Sequence, residues 1–210
     1  MRFADLDAVT IDGFGTLLRL RDPVPALAAA LRTRGVDRDP DVVAAAFRAE
    51  ASYYRAHAQS ARDEPTLAAL RRRCAAVFLA AAKADLDPGE FAPAFVGALV
   101  FELVPGAAAT IEALAARGLA LALVANWEIS LREHLRTHGL DRRFASIVIS
   151  AEVGAAKPAP APFEVALSEL RVDARRALHV GDGADDEQGA AAAGMRFAWA
   201  PLAAAFRAWE

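Results

Sequence analysis

The sequence predicts an α/β protein: an open parallel sheet with helices on both faces, interrupted near its start by an all-helical insertion. Three observations predict it. Residues 104–210 alternate short apolar runs with helical patterns, the βαβα rhythm of a parallel sheet. A β-rich run, Ala8-Val-Thr-Ile-Asp12, stands far from that block and ends on a carboxylate. Between the two, residues 20–103 carry almost no strand signal.

Each element follows from local chemistry. The first run is apolar on both faces, as a strand buried in a parallel sheet must be. Gly13-Phe-Gly15-Thr16 after it reads as a tight turn, because two glycines permit backbone angles that other residues avoid. A helical pattern runs from Pro25 to Arg34 and stops at Gly35. A longer one spans Asp41 to Gln59, with Val42, Val43, Ala46, Phe47 and Ala51 at helical spacing. Glu64-Pro65 opens a third through Ala82, with proline in its first turn. Asp87 opens a fourth to about Val100. Antiparallel helices are the economical reading of this insertion.

From Val104 the pattern alternates: helix to Arg117, strand Leu119–Ala125, helix to His138, strand Ser146–Ser150. Helix Pro162–Leu170, strand Ala177–Gly181, helix Asp186–Ala193, strand Met195–Ala200 and a short final helix complete it. The strand at residue 8 belongs to the same sheet. The core is therefore 1–19 with 104–210, and the insertion is 20–103.

Composition narrows the function classes. Hydrophobic residues make up 55% and charged residues 24%, enough apolar material for a core and too much for a disordered chain. Lys and Arg total 24 against 27 acidic residues, a net charge of −3 without a basic block, so nothing electrostatic calls for nucleic acid. The single cysteine, Cys74, forms no internal disulfide and no cysteine zinc cluster. No apolar run approaches the roughly 18 residues of a membrane span. The first residues carry Asp5 and Asp7 where a secretory signal needs an apolar stretch. A soluble, cytoplasmic protein is expected.

In an open parallel sheet, ligands bind beyond the carboxyl ends of the strands. The polar residues predicted there are Asp12, Asn126, Glu152 with Lys157, and Asp182 with Asp186. Several carboxylates, one lysine and glycine turns suit a hard divalent cation such as Mg²⁺ together with a charged oxyanion. Taken singly, each has a structural explanation: Asp12 as a turn cap, Gly181-Asp182-Gly183 as a common turn. Their joint occurrence at four strand ends does not. His179 reads as a packing residue, His134 and His138 as surface residues, and Arg71-Arg72-Arg73 is too short for a nucleic-acid patch.

These residues also carry a resemblance. Asp12-Gly-Phe-Gly-Thr-Leu17, Leu123-Val-Ala-Asn126, Gly154-Ala-Ala-Lys157-Pro158 and His179-Val-Gly-Asp182-Gly-Ala-Asp-Asp186 resemble, in order, the four motifs of the haloacid dehalogenase (HAD) superfamily. The resemblance covers nearly the whole chain, and the branch is the one with a helical cap after the first strand. It implies a Rossmann-like core at 1–19 and 104–210 and a cap at 20–103. It implies that Asp12 attacks a phosphoryl group to form an aspartyl intermediate, with Lys157 neutralising charge. Mg²⁺ would be held by Asp12, the backbone carbonyl of Phe14, Asp182 and Asp186. Gly13, Phe14, Asn126, Trp127 and Arg19 are the substrate-binding candidates. In the cap, Tyr53, Tyr54, Arg55, His57 and Arg62 are candidates for selecting a small phosphorylated substrate, and an exposed helix face leaves room for a homodimer.

Two positions depart from the family pattern. The family's phosphatases carry a second aspartate two residues after the nucleophile, as general acid and base; here it is Phe14. General acid–base help is worth about 10²–10⁴-fold. Ala125 stands where the family has Ser or Thr, and a lost hydroxyl bond to a charged group costs about 1.5–3 kcal/mol. Three readings stay open: a phosphatase-type hydrolase with weakened chemistry or a replacement acid such as Glu128; a 2-haloacid dehalogenase-like enzyme, which needs no leaving-group proton; and a degenerate member that binds without turnover.

Overall fold

A computed structural model describes residues 3–206. The chain divides into two compact units, one running up to Arg19 and resuming at Leu103, the other from Leu20 to Glu102.

The first unit is built on a five-stranded parallel sheet. Its strands are β1 (Ala8–Ile11), β4 (Ala120–Ala125), β5 (Ser146–Ile149), β6 (Ala177–Gly181) and β7 (Arg196–Trp199), in the order β5-β4-β1-β6-β7. Ile11 is level with Leu123 on one side and Val180 on the other. The chain moves outward from β1 first through β4 and β5, then through β6 and β7. β1 therefore lies where the winding direction changes, the place at which open α/β sheets bind ligands. Every residue of β1 and β6 is buried, which explains why both are apolar apart from Thr10 and His179. The helices are α5 (Ala107–Ala116), α6 (Leu131–Thr137), α7 (Ser150–Val153), α8 (Ala161–Leu170), α9 (Ala184–Ala192) and α10 (Leu202–Ala205). Phe163 and Leu167 of α8 and Ala190 of α9 pack with Ala8, Val124 and Ala177 in one core.

The second unit holds four helices: α1 (Val24–Arg32), α2 (Pro40–His57), α3 (Glu64–Ala81) and α4 (Pro88–Gly97). The α3 start is a capping box: Asp63 accepts from the Thr66 N–H at 2.9 Å, and the Thr66 hydroxyl accepts from the Asp63 N–H at 3.1 Å. Asp87 caps α4 by accepting from the Glu90 N–H. Phe78, Phe91 and Phe95 form an aromatic core with ring centroids 5.3–6.5 Å apart.

Glu50 of α2 is buried in this unit, and burial raises its carboxyl, against the hydrogen bond from Cys74 and the charge of Arg55. A carboxyl with a folded pKa above its unfolded one loses the protein stability as pH rises through that window. Glu50→Gln is therefore expected to raise Tm at pH 8, with the gain shrinking as the pH falls toward the ordinary glutamate range. Melts at both pH values check it.

The structure differs from the sequence expectation in three short elements. Leu18–Leu20 (β2) and Phe101–Leu103 (β3) pair as a small ribbon, and Ser150–Val153 is helical. Three or four residues are too few to display a period. The fourth helix stops at Gly97 because the chain turns extended into β3. No helix among the described residues is long and apolar enough to cross a membrane.

Candidate active site

Asp12 follows β1 directly, and its N–H extends the ladder by donating to the Val180 carbonyl at 2.9 Å. Its side chain is buried. Lys157 lies on the loop that follows α7. The Asn126 side chain, at the end of β4, clamps this loop at two points: it accepts from the Lys157 N–H at 2.8 Å and donates to the Lys157 carbonyl at 2.9 Å. The Lys157 ammonium then spends its three donors on Asp12 Oδ1, on Asp186 Oδ1 at 2.6 Å and on the Val124 carbonyl at 2.9 Å. Burial opposes this charge, but Asp12 and Asp186 more than offset it, and the lysine pKa is raised.

Asp186 sits in the first turn of α9. Burial pushes its carboxyl up, but the hydrogen bond from His179 and the charge of Lys157 hold it far below the ordinary aspartate range. Its Oδ2 accepts from the Gly183 N–H at 3.1 Å. Asp182 is more exposed; burial and the Asp186 charge raise its carboxyl. Burial also raises Asp12, Lys157 pulls it back, and Asp186 raises it again.

The acidic set fits a divalent cation. Asp12, Asp182 and Asp186 each place an oxygen within 4.8 Å of the others. Asp12 Oδ2 is buried and has no hydrogen-bond partner among the described residues, a costly state for a carboxylate oxygen unless a cation meets it. With its three carboxyls ionised, one ammonium leaves the cluster two charges negative. Oxygen donors alone suit Mg²⁺.

The loop after Asp12 is tight. Gly13 accepts from the N–H groups of Leu17 at 3.1 Å and Leu18 at 2.8 Å. Gly15 has φ +90°, and a Cβ there would overlap the Asp182 carboxylate. Gly15→Ala therefore combines left-handed strain of about 1–2 kcal/mol with displacement of Asp182. It is expected to weaken binding of a divalent cation to this acidic set by about 10-fold or more, checked by calorimetric titration with Mg²⁺.

The other expected site residues fall in different places. Phe14 is 53% exposed, with its ring 6.2 Å from that of Trp127. Trp127 is buried, and its N–H donates to Ser150 Oγ at 3.1 Å. Arg19 lies on β2. Two residues play other parts than the sequence suggests. Glu128 is buried, and both of its oxygens are taken by Ser130, from the N–H and the hydroxyl at 2.6 Å each. It braces the start of α6 and is not placed as a replacement acid. Glu152 pairs with Arg132 at 2.7 Å outside the Lys157 cluster. His179, expected to pack only, joins the site: its Nε2 is 3.0 Å from Asp186 Oδ1 and its Nδ1 is 2.8 Å from Thr10 Oγ1. The signal for it is that Thr10 and His179 are polar residues inside two otherwise apolar strands.

Residues 6–194 match the model of a hydrolase family described as haloacid dehalogenase-like hydrolase. Haloacid dehalogenase-like hydrolase domain-containing protein 3 of Xenopus laevis is 30% identical over 189 residues, 84% of this chain and 76% of that protein. A phosphoserine phosphatase of Thermus thermophilus is 42% identical over 101 residues, 47% of this chain, and the match takes in less than half (41%) of that protein. The crystal structure of a 2-haloacid dehalogenase from Pseudomonas syringae superposes with a TM-score of 0.62 at 30% identity, covering 92% of this chain and 86% of that one.

Proposed function

Because the chain belongs to the haloacid dehalogenase-like hydrolases, we propose that it hydrolyses small phosphorylated metabolites in a Mg²⁺-dependent reaction through an aspartyl phosphate on Asp12. One observation carries this reading: a buried lysine is shared between Asp12 and Asp186, in an acidic cluster whose Asp12 Oδ2 has no partner among the described residues. Asp12, Asp182, Asp186 and the Phe14 carbonyl would hold Mg²⁺, which when bound neutralises charge on the phosphoryl oxygens.

The chain's own residues do the rest. An Asp12 carboxylate oxygen forms a bond to phosphorus as the bond from phosphorus to the leaving oxygen breaks. Lys157 favours the ionised form of that carboxylate and orients it, and its fixed ammonium acts on charge in a water-poor setting where it counts most. Water then attacks the aspartyl phosphate, releasing phosphate and restoring Asp12. The leaving oxygen departs without a proton from the position of Phe14, and Glu128 is committed to Ser130. Esters with good leaving groups are therefore turned over best. The helical unit from Leu20 to Glu102 serves as the cap that chooses among them, with Tyr53, Tyr54, Arg55, His57 and Arg62 as its selecting residues.

The test is phosphate release from a series of aryl and alkyl phosphates, with Mg²⁺ or with EDTA. The rate is expected to rise steeply as the leaving-group pKa falls, and to vanish in EDTA. Phe14→Asp is expected to raise the rate on alkyl esters by about 10²-fold. Absence of metal-dependent release from any ester would sink the reading. The exposed Phe14 and the 30% identity to a dehalogenase favour a second reading, displacement of halide from a 2-haloacid carbon. Halide release from 2-chloropropionate in EDTA would establish it.

A further inference from the structure

We propose that His179 is a positioning residue for this site: its Nε2–H fixes the Asp186 carboxylate, and through it the ammonium that Lys157 presents to Asp12. The inference rests on the reading of Asp12 and Lys157 given above.

Asp186 Oδ1 receives two groups, Lys157 Nζ at 2.6 Å and His179 Nε2 at 3.0 Å. An ionised carboxylate only accepts, so Nε2 carries the ring proton. A fully buried ring beside the Lys157 ammonium stays neutral, so Nδ1 is the acceptor and Thr10 Oγ1, 2.8 Å away, donates to it. The neutral ring is held in one tautomer by what touches its two nitrogens, the arrangement by which outer residues orient ionic ligands.

The setting leaves the ring no other choice. His179 and Thr10 are both fully buried, and they face each other across the register of β1 and β6. Phe163 meets the imidazole edge-on at 4.9 Å, and Phe197 lies 6.2 Å from it. No water is needed to complete either nitrogen. Thr10 is two residues before Asp12, and His179 is three before Asp182. The same two strands that present the acidic residues thus also carry the pair that orients Asp186. Without the Nε2–H, Asp186 Oδ1 keeps only Lys157 and its carboxylate can rotate about the Gly183 contact. The ammonium would then follow Asp186 away from Asp12.

The experiment uses the full chain and two readouts. In ¹⁵N-detected spectra of the wild-type imidazoles, His179 is expected as the Nε2–H tautomer, and Thr10→Val is expected to shift Nδ1 while leaving Nε2 protonated. With an aryl phosphate and Mg²⁺, His179→Asn is expected to lower kcat by about 10–100-fold with KM within about 2-fold. His179→Gln, whose amide reaches the Nε2 position, is expected to recover most of that loss. A wild-type ring protonated on Nδ1 would overturn the proposal. So would Gln and Asn variants of equal kcat, since a packing role cannot tell them apart by donor position. Should the wild type show no phosphatase activity, the phosphatase reading fails by itself, and the tautomer still decides the placement of His179.

Discussion

Asp12→Asn is expected to remove turnover by about 10⁴-fold or more while the protein stays folded. In the proposed mechanism the Asp12 carboxylate forms the covalent bond, and the amide oxygen of Asn is too poor a nucleophile to replace it. The fold survives because Asn has the same shape and because Lys157 keeps Asp186 and the Val124 carbonyl. Initial rates on an aryl phosphate, with Tm measured alongside, separate the two effects. Activity within 10-fold of wild type would mean that another group attacks.

Lys157→Met has the largest expected effect on stability. It leaves Asp12 and Asp186 buried together without their shared cation. Breaking a buried ion pair costs about 3–5 kcal/mol, which at about 2–4 °C per kcal/mol for a chain of this size lowers Tm by roughly 10 °C. The loss depends on pH. Without the ammonium, burial and mutual repulsion raise both carboxyls above their unfolded values, so stability falls as pH rises through that window and returns on acidification. Melts in EDTA at pH 5 and pH 8 should show a larger deficit at pH 8. A small deficit equal at both would show that the lysine does not hold the cluster together.

Much of this is legible in the sequence because it depends on local patterns. A strand buried on both faces must be apolar nearly throughout, and β1, β4 and β6 are. Carboxylates that close such strands stand out by contrast, which singles out Asp12 and Asp182. The helical segment is visible from its period and its prolines at helix starts. Other features need three dimensions. The ribbon of β2 and β3 is too short to show alternation. The tie between Glu128 and Ser130 looks in sequence like a free acid beside the site. Thr10 and His179 lie 169 positions apart, and only the parallel pairing of their strands makes them neighbours. The clamp of Asn126 on the Lys157 loop is hidden for the same reason.

The covalent role proposed for Asp12 can be tested directly. The enzyme is mixed with an aryl phosphate and Mg²⁺, quenched in acid during turnover and reduced with borohydride, which converts an aspartyl phosphate into homoserine. Peptide mass spectrometry is expected to find homoserine at position 12, dependent on substrate and absent from Asp12→Asn. Reduction at another carboxylate, or none while phosphate is being released, would contradict the assignment of Asp12 as the nucleophile.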